Sequence, residues 1–386
     1  MTETTKATMR DGIIKRGSTY SYVVRERDAE TGKSKPRWFG GFATRKEAMA
    51  ARNKARTAVD RGTYVAPKTM TVGEWLDLWV AGHAMVLKPS TRVTYQSKID
   101  NYLKPTIGRE RIQGLSPSRL SKLFRELGES GGKDGKPLSA RSVEFARAVL
   151  RKAMQDAVVE RLIEVNPVVG SKSPRRQGKP QHTTWTPVQQ RAFLSSVEAS
   201  RWATAWALAL ATGMRRGELC GLTWDRVDLD AKVLTVDRST TQLGRDRVTT
   251  EPKNHENRKV ALDPHTIATL RTWRTQQAAE RLKWGPAYLD SESLMFTWEN
   301  GAPVLPDYLS KLFVSEQSDL DLPRMTLHGT RHTHATTLLR EGVPVHIVSK
   351  RLGHKDASIT LNVYADVIPD DDDRAVDVFA RAVWGA

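Results

Sequence analysis

Arg215 stands three residues before Glu218, His328 three before Arg331, and His354 ten before Tyr364. At helical spacing the Glu218 carboxylate can lie beside the Arg215 guanidinium and fix it, although a plain surface ion pair has the same spacing. His328 and Arg331 open a predicted helix, where imidazole, guanidinium and free backbone N–H groups can all face one phosphate. Two guanidiniums giving paired hydrogen bonds would stabilise the negative charge that grows on a phosphodiester during in-line attack. A tyrosine of pKa near 10 is a poor nucleophile at neutral pH, so an imidazole and a positive field must help to remove its proton. Taken singly, His354 and Tyr364 fit structural roles; their company points to phosphate chemistry.

Local signals place these residues on elements. Thr186-Pro187-Val188-Gln189 combines a capping box with proline at N1, and an alanine-rich helix is expected from about 201 to 211, ahead of the Thr212-Gly213 turn that precedes Arg215. Strand-like stretches follow at 231–236, 247–250 and 258–262. Helices are then opened by Asp263-Pro264 and around 306–318, with three short helical segments between about 330 and 367. His354 follows Leu352-Gly353 at a helix end, and this half reads as mixed α and β.

Upstream, Thr71 with Glu74, Ser90 after Pro89, Ser116 before Pro117, and Ser139 mark four helices between about 71 and 162. The stretch NPVVGSKSPRRQGKPQH, 166–182, is rich in proline, glycine and basic residues, and reads as an interdomain linker. Near the N-terminus Tyr20, Tyr22 and Val24 alternate, PRWFGGF at 36–42 is a second β-like run, and Gly12 to Lys15 supplies a third. Thr44 with Glu47 caps a helix carrying Ala48, Ala51, Ala55 and Val59 on one side until Gly62. The expected architecture is therefore multidomain. A small β-sheet plus helix occupies 1–66, an α-helical domain 67–165, a linker 166–182, and a mixed α+β domain with a C-terminal tail 183–386. In that tail the acidic run Asp370 to Asp373 after Pro369 reads as a hinge. Val376, Phe379, Ala382, Val383 and Trp384 beyond it form a short amphipathic helix.

The 386 residues carry 61 Lys and Arg against 44 Asp and Glu, a net charge of +17, which suggests a polyanionic partner. Residues 1–66 hold 15 basic against 7 acidic side chains, 67–182 hold 21 against 11, and 183–386 hold 25 against 26. All the excess lies in the first half. The N-terminal segments are thus expected to grip phosphate backbone, while the last part needs placed charges rather than many charges. A basic surface that only solubilises is the plain alternative. No apolar run approaches the ~18 residues of a membrane helix. MTETTKATMRDG lacks the apolar stretch of a secretory signal, and Cys220 is the single cysteine. These features exclude a disulfide scaffold and a Cys-rich zinc module, and predict a cytoplasmic protein without a membrane partner.

The runs ATGMRRGELCGLTW (211–224), EPKNHENRKVAL (251–262), LHGTRHTHATTLL (327–339) and RLGHKDASITLNVYADV (351–367) together resemble the tyrosine recombinase family, the phage-integrase type. The likeness is strong over about 183–367. Residues 71–162 resemble that family's core-binding domain in arrangement, and 1–66 the arm-binding module of some integrases. The resemblance implies a site-specific DNA recombinase that needs no cofactor or metal and cuts and rejoins DNA through a 3′-phosphotyrosine. By position, Tyr364 matches the nucleophile, Arg215 and Arg331 the arginines that clamp the nonbridging oxygens, and His328 and His354 their hydrogen-bonding and proton-transfer partners. Lys253 matches the general acid for the leaving 5′-oxygen, and Glu218 supports Arg215. Covalent chemistry conserves the bond energy, in keeping with the absence of a GxxxxGK[ST] loop. The resemblance further implies a homotetramer on two double-stranded DNA sites, core and arm-type, a nucleoid-associated location in a bacterial cell, and, through the arm module, a DNA-bending host factor and an excisionase. It also favours docking of the tail helix on a neighbouring protomer over folding back.

Two departures qualify the match. Asn254 and Asn257 replace the family's more usual Thr after the lysine and Ser before the arginine, which makes Lys259 a rival acid. Lys259 lies in an alternating strand whose neighbours Val260 and Leu262 look core-facing, which favours Lys253. Gly329-Thr330 replaces an acidic-apolar pair, where no charged participant is needed. Two other classes remain: a zinc nuclease built on His328, His332, His334 and His354, and a DNA-binding regulator that has lost chemistry. Arg331 amid the histidines would repel a dication, so His332 and His334 read as packing or supporting residues, and no catalytic position is missing.

Overall fold

In the computed structural model, which describes residues 12–27, 34–60, 65, 69–83, 85–174, 183–250, 257–289, 292–364 and 372–385, the chain divides into two units, Met1–Gly178 and Lys179–Ala386. In the first unit, strands β1 (Ile13–Arg16), β2 (Thr19–Arg27) and β3 (Ser34–Phe42) form an antiparallel sheet in that order, followed by helix α1 (Arg45–Asp60). Tyr22 pairs with Ile13 on one side and Phe39 on the other, and its ring stacks 5.2 Å from Phe39. Because Ala48 and Ala55 are small, α1 approaches this aromatic face closely, and Ile13, Tyr22, Val24, Ala48 and Ala55 are buried together. Val59, expected on the same stripe, is exposed. The Arg16 guanidinium stacks on the exposed Trp38 at 4.9 Å.

Helix α2 (Val72–Gly82) opens with the full Thr71–Glu74 capping box. Helix α3 (Pro89–Lys98) starts one residue before the expected Ser90, with proline at N1 and no side-chain cap. It continues through a π turn at Ile99–Leu103 into α4 (Lys104–Ile107). Helices α5 (Pro117–Ser130) and α6 (Ala140–Val159) are capped by Ser116 and Ser139. Leu76, Leu103, Phe124 and Leu150 are wholly buried between them, and Trp75 donates its indole N–H to the Ala153 carbonyl at 2.9 Å. Part of the stretch read as linker belongs to this packing. Val168 is buried in the helical core, and Arg147 donates to the carbonyls of Val168 and Ser171 at 3.3 and 3.2 Å. Two buried apolar and polar anchors outweigh the local Pro and Gly content over 166–174, while 175–182 lies outside the described residues.

The second unit begins with α7 (Pro187–Ser196), held by the Thr186–Gln189 capping box, α8 (Ala203–Thr212) and the short α9 (Arg216–Cys220). Strands β4 (Val227–Asp228), β5 (Val233–Val236), β6 (Ser239–Leu243), β7 (Asp246–Thr250) and β8 (Arg258–Ala261) make two sheets. One has the antiparallel order β4-β5-β8, and the other is the β6–β7 hairpin. β6, rich in Ser and Thr, has no apolar alternation and was not expected; it exists through pairing with β7. Helices α10 (Pro264–Trp284), α11 (Pro306–Ser315), α12 (Gly329–Arg340), α13 (Val345–Leu352), α14 (Ala357–Tyr364) and α15 (Asp372–Trp384) complete the unit. Trp185, Trp206, Phe193 and Phe313 anchor its core. Asp372 and Asp373, expected in a hinge, lie in α15, residues 370 and 371 lie outside the described residues, and Val376, Phe379, Val383 and Trp384 are exposed on that helix. Among the described residues no helix is long and apolar enough to cross a membrane.

Candidate active site

Two glycine turns and two helix ends bring the expected residues together. Gly213 ends α8 in the left-handed conformation at φ +64°, and a Cβ there would meet Leu352 at 2.7 Å and His334 at 3.0 Å. Only glycine lets α8, α12 and α13 approach this closely. Gly353 ends α13 at φ +68°, where a Cβ would lie 3.0 Å from the Arg258 side chain. Arg331, on the first turn of α12, is buried and donates to both turns, to Gly213 O at 2.9 Å and Leu352 O at 2.8 Å. Arg215, the N-cap of α9, donates to Gly353 O at 3.2 Å.

The expected Arg215–Glu218 contact is present, at 2.8 Å, but it is no surface pair. The Glu218 side chain is 1% exposed and accepts two further hydrogen bonds from Arg258, at 3.0 and 2.6 Å. Burial alone would raise the Glu218 pKa, but the hydrogen bonds and charge of Arg258 and the charge of Arg215 overcome it and hold the group at about 2. Arg258 also donates to Arg351 O at 3.0 Å, so one side chain ties Glu218 to the end of α13. Arg258 escaped the sequence reading, and a signal existed: it shares strand parity with Val260 and Leu262, so an arginine sits on a core-facing position. Lys259 is exposed on the opposite face of β8.

Burial first, then Arg215, pulls Arg331 down to about 9, still protonated at neutral pH; Glu218 opposes the shift. Desolvation, Arg331 and Arg215 lower His354 to about 4, which leaves it neutral. Its Nδ1 lies 2.8 Å from the hydroxyl of the buried Thr360 on α14. His328 is exposed at the start of α12, its ring edge-on to His332 at 5.1 Å. Tyr364, at the end of α14, is 4% exposed, its ring packed with Ala335, Leu339, Val348 and Leu352. Burial pushes its phenol up to about 12, with Arg331 acting against that rise. The hydroxyl is 2.8 Å from His332 Nδ1.

Arg215, Glu218, Arg331, His354 and Tyr364 thus share one neighbourhood, with His328 at its exposed edge. Lys253 lies outside the described residues. His334 is buried behind the cluster, its Nδ1 at Leu210 O and its Nε2 accepting from Arg351 at 3.0 Å. Among the described residues no group of three or more His, Cys, Asp or Glu side chains is placed to hold a metal ion.

The chain also matches known proteins. Residues 188–370 match the Phage integrase family, 13–57 an Arm DNA-binding domain, and 71–127 a Phage integrase, N-terminal SAM-like domain. A tyrosine recombinase XerC-like protein of Caldanaerobacter subterraneus subsp. tengcongensis is 29% identical over 385 residues, covering 94% of this chain and 96% of its own. The ICEBs1 integrase of Bacillus subtilis is 24% identical, covering 85% and 87%. Among solved structures, the Tn1549 transposon integrase in complex with a circular intermediate DNA superposes with a TM-score of 0.65 at 21% identity, over 79% of this chain and 98% of that one. A lambda integrase tetramer bound to a Holliday junction gives 0.59 at 19%, over 92% and 96%.

Proposed function

We propose, starting from a chain that belongs to the phage integrase family of tyrosine recombinases, that it is a site-specific DNA recombinase, an integrase, acting through a 3′-phosphotyrosine at Tyr364. The observation that carries this reading is the convergence of Arg331, Arg215 and His354 on one backbone turn, Leu352 to His354, beside a phenol within reach of the Arg331 charge. Two like charges, Arg215 held by the buried Glu218 and Arg331 by the carbonyls of Gly213 and Leu352, form a ready site for a phosphodiester anion. Arg215 and Arg331 clamp its nonbridging oxygens. His354, neutral at pH 7, contributes hydrogen bonds rather than charge, and His328 meets the phosphate from the open start of α12. Tyr364 attacks phosphorus and Lys253 protonates the departing 5′-oxygen. The exposure of Lys259 on the face away from Arg258 favours Lys253 for that role. Attack of a 5′-hydroxyl on the phosphotyrosine reverses the chemistry and rejoins the strand without ATP.

On this reading residues 1–66 bind arm-type DNA, 67–165 with the packed stretch to 174 bind the core site, and 183–386 cut. The protein works as a homotetramer on paired sites in the bacterial cytoplasm, at the nucleoid, with a DNA-bending host factor and an excisionase as partners. The exposed apolar residues of α15 dock on a neighbouring protomer. Deleting 374–386 should then weaken synapsis on paired sites and leave single-site binding intact; normal pairing by the truncated chain would end that assignment. The central test is a nicked suicide substrate carrying the core site. The protein should form an SDS-stable adduct without Mg²⁺ or ATP, and Tyr364→Phe should form none while still binding DNA. An adduct with Tyr364→Phe would remove Tyr364 as nucleophile, and a strict zinc requirement would favour a metal nuclease.

A further inference from the structure

The histidines around the cluster are engaged differently. His334 has both ring nitrogens in hydrogen bonds to the protein interior. Nδ1 of His354 meets Thr360, and His328 lies exposed at the helix start. Among the described residues, the imidazole nitrogen within hydrogen-bond distance of the phenol belongs to His332, at 2.8 Å. Its ring is flanked by His328, edge-on at 5.1 Å, and by the Tyr364 ring at 5.7 Å, so packing from both sides sets its orientation. Tyr364 itself is nearly closed to solvent, which denies its hydroxyl proton a direct path to bulk water.

We propose that His332 is a catalytic residue of the cleavage step, accepting the phenolic proton of Tyr364 on Nδ1 as Oη attacks phosphorus. This rests on Tyr364 being the nucleophile. The Oη–P bond forms while the P–O5′ bond breaks. Its electron pair leaves with the 5′-oxygen, which takes a proton from the general acid assigned to Lys253. The phenolic proton ends on His332, and it returns to Oη when a 5′-hydroxyl attacks the phosphotyrosine. The environment demands such a local base: burial pushes the phenol up to about 12, so ionisation without an acceptor is rare at neutral pH, while Arg331 favours the phenolate once formed. His332 follows Arg331 directly on α12, so the residue that stabilises the phenolate and the residue that takes the proton move as one rigid piece.

The full-length protein tests this in single-turnover cleavage of the suicide substrate. His332→Asn keeps an oxygen acceptor near the Nδ1 position but has no base, and His332→Ala removes both. Both should bind the core site as the unsubstituted protein does and form adduct about 10²-fold or more slowly, the range of a lost general base. Added imidazole should speed the alanine variant several-fold. A substrate with a bridging 5′-sulfur, whose leaving group needs no proton, should restore Lys253→Ala but neither His332 variant. Nitrogen-15 NMR of the histidine-labelled, unsubstituted chain should find Nδ1 of His332 unprotonated, a measurement that holds even if a variant fails to fold. Wild-type rate in His332→Asn, restoration by the sulfur substrate, or a protonated Nδ1 would overturn the proposal. Adduct formation by Tyr364→Phe would instead overturn the nucleophile beneath it.

Discussion

The two units of this chain use charge in opposite ways. In the first, basic side chains far outnumber acidic ones, and ion pairs among its described residues reach into solvent: Lys104–Asp77 has side chains 31% and 54% exposed, and Arg125–Glu129 65% and 66%. In the second, the numbers balance, yet the charges that matter are enclosed, with Glu218 at 1% and Arg258 at 7%. Exposed charge acts as a field that salt screens and a long polyanion can follow. Enclosed charge acts through geometry, because a buried guanidinium is tolerable only where carboxylates and carbonyls satisfy it. On the proposed function this contrast separates gripping from cutting, and that separation is open to experiment.

The largest difference is expected in rate. Arg331→Ala should lower cleavage by about 10²- to 10³-fold, the scale of one missing donor to a developing oxyanion, with core-site affinity changed only a few-fold. Arg16→Ala, on the N-terminal sheet, should leave core-site cleavage unchanged in the same assay. Equal loss from both would erase the division.

Stability comes next. Glu218→Gln leaves Arg215 and Arg258 facing a neutral amide in a buried site and should destabilise the second unit by about 3–5 kcal/mol in chemical denaturation. Lys104→Ala, removing an exposed pair, should cost no more than about 1 kcal/mol.

Acid should act mainly on the second unit. Burial, then Arg351, lowers His334 to about 4 from an ordinary 6.5, so as pH falls the unfolded chain takes up this proton before the folded one. Stability is therefore full above pH 6.5, declines as pH falls from about 6.5 to about 4, and levels off below, with a slope of at most about 1.4 kcal/mol per pH unit from this group. His354, lowered to about 4 by burial and by Arg331, adds in the same direction. Denaturation midpoints measured across that window should flatten in His334→Gln. An unchanged slope would mean that other groups govern the acid response.

The smallest expected effect is on salt dependence. Deleting 1–66 should lower the log–log salt slope of binding to arm-containing DNA by about 0.9 for each phosphate that the shortened chain no longer neutralises, and leave core-site cleavage measurable. An unchanged slope with arm binding retained would make the sheet module a scaffold.

What could be read beforehand depended on distance along the chain. The capping boxes Thr71–Glu74 and Thr186–Gln189 close within four residues, so composition alone located the starts of α2 and α7. The alternation of Tyr20, Tyr22 and Val24 likewise announced a strand, and Arg215 beside Glu218 announced their bond. Signals of that kind misled where a few buried contacts outweigh local content. Val168 packs inside a stretch that reads as linker, and β6 forms from Ser and Thr because β7 pairs with it.

By itself the sequence determined the capped helix starts, the uneven charge and the set of residue types suited to phosphodiester chemistry, because each rests on neighbours a few positions apart or on simple counts. Only the tertiary structure decided which groups share a partner. Arg258 reaches Glu218 across 40 residues, Tyr364 meets His332 across 32, and Arg331 finds Gly213 O across 118. Such pairings depend on how closely helices approach, here allowed by glycine at 213 and 353. No periodicity encodes them. A desolvated charge takes whichever partner the packing offers, and that choice makes Glu218 a shared anchor, while packing sets His332 against Tyr364.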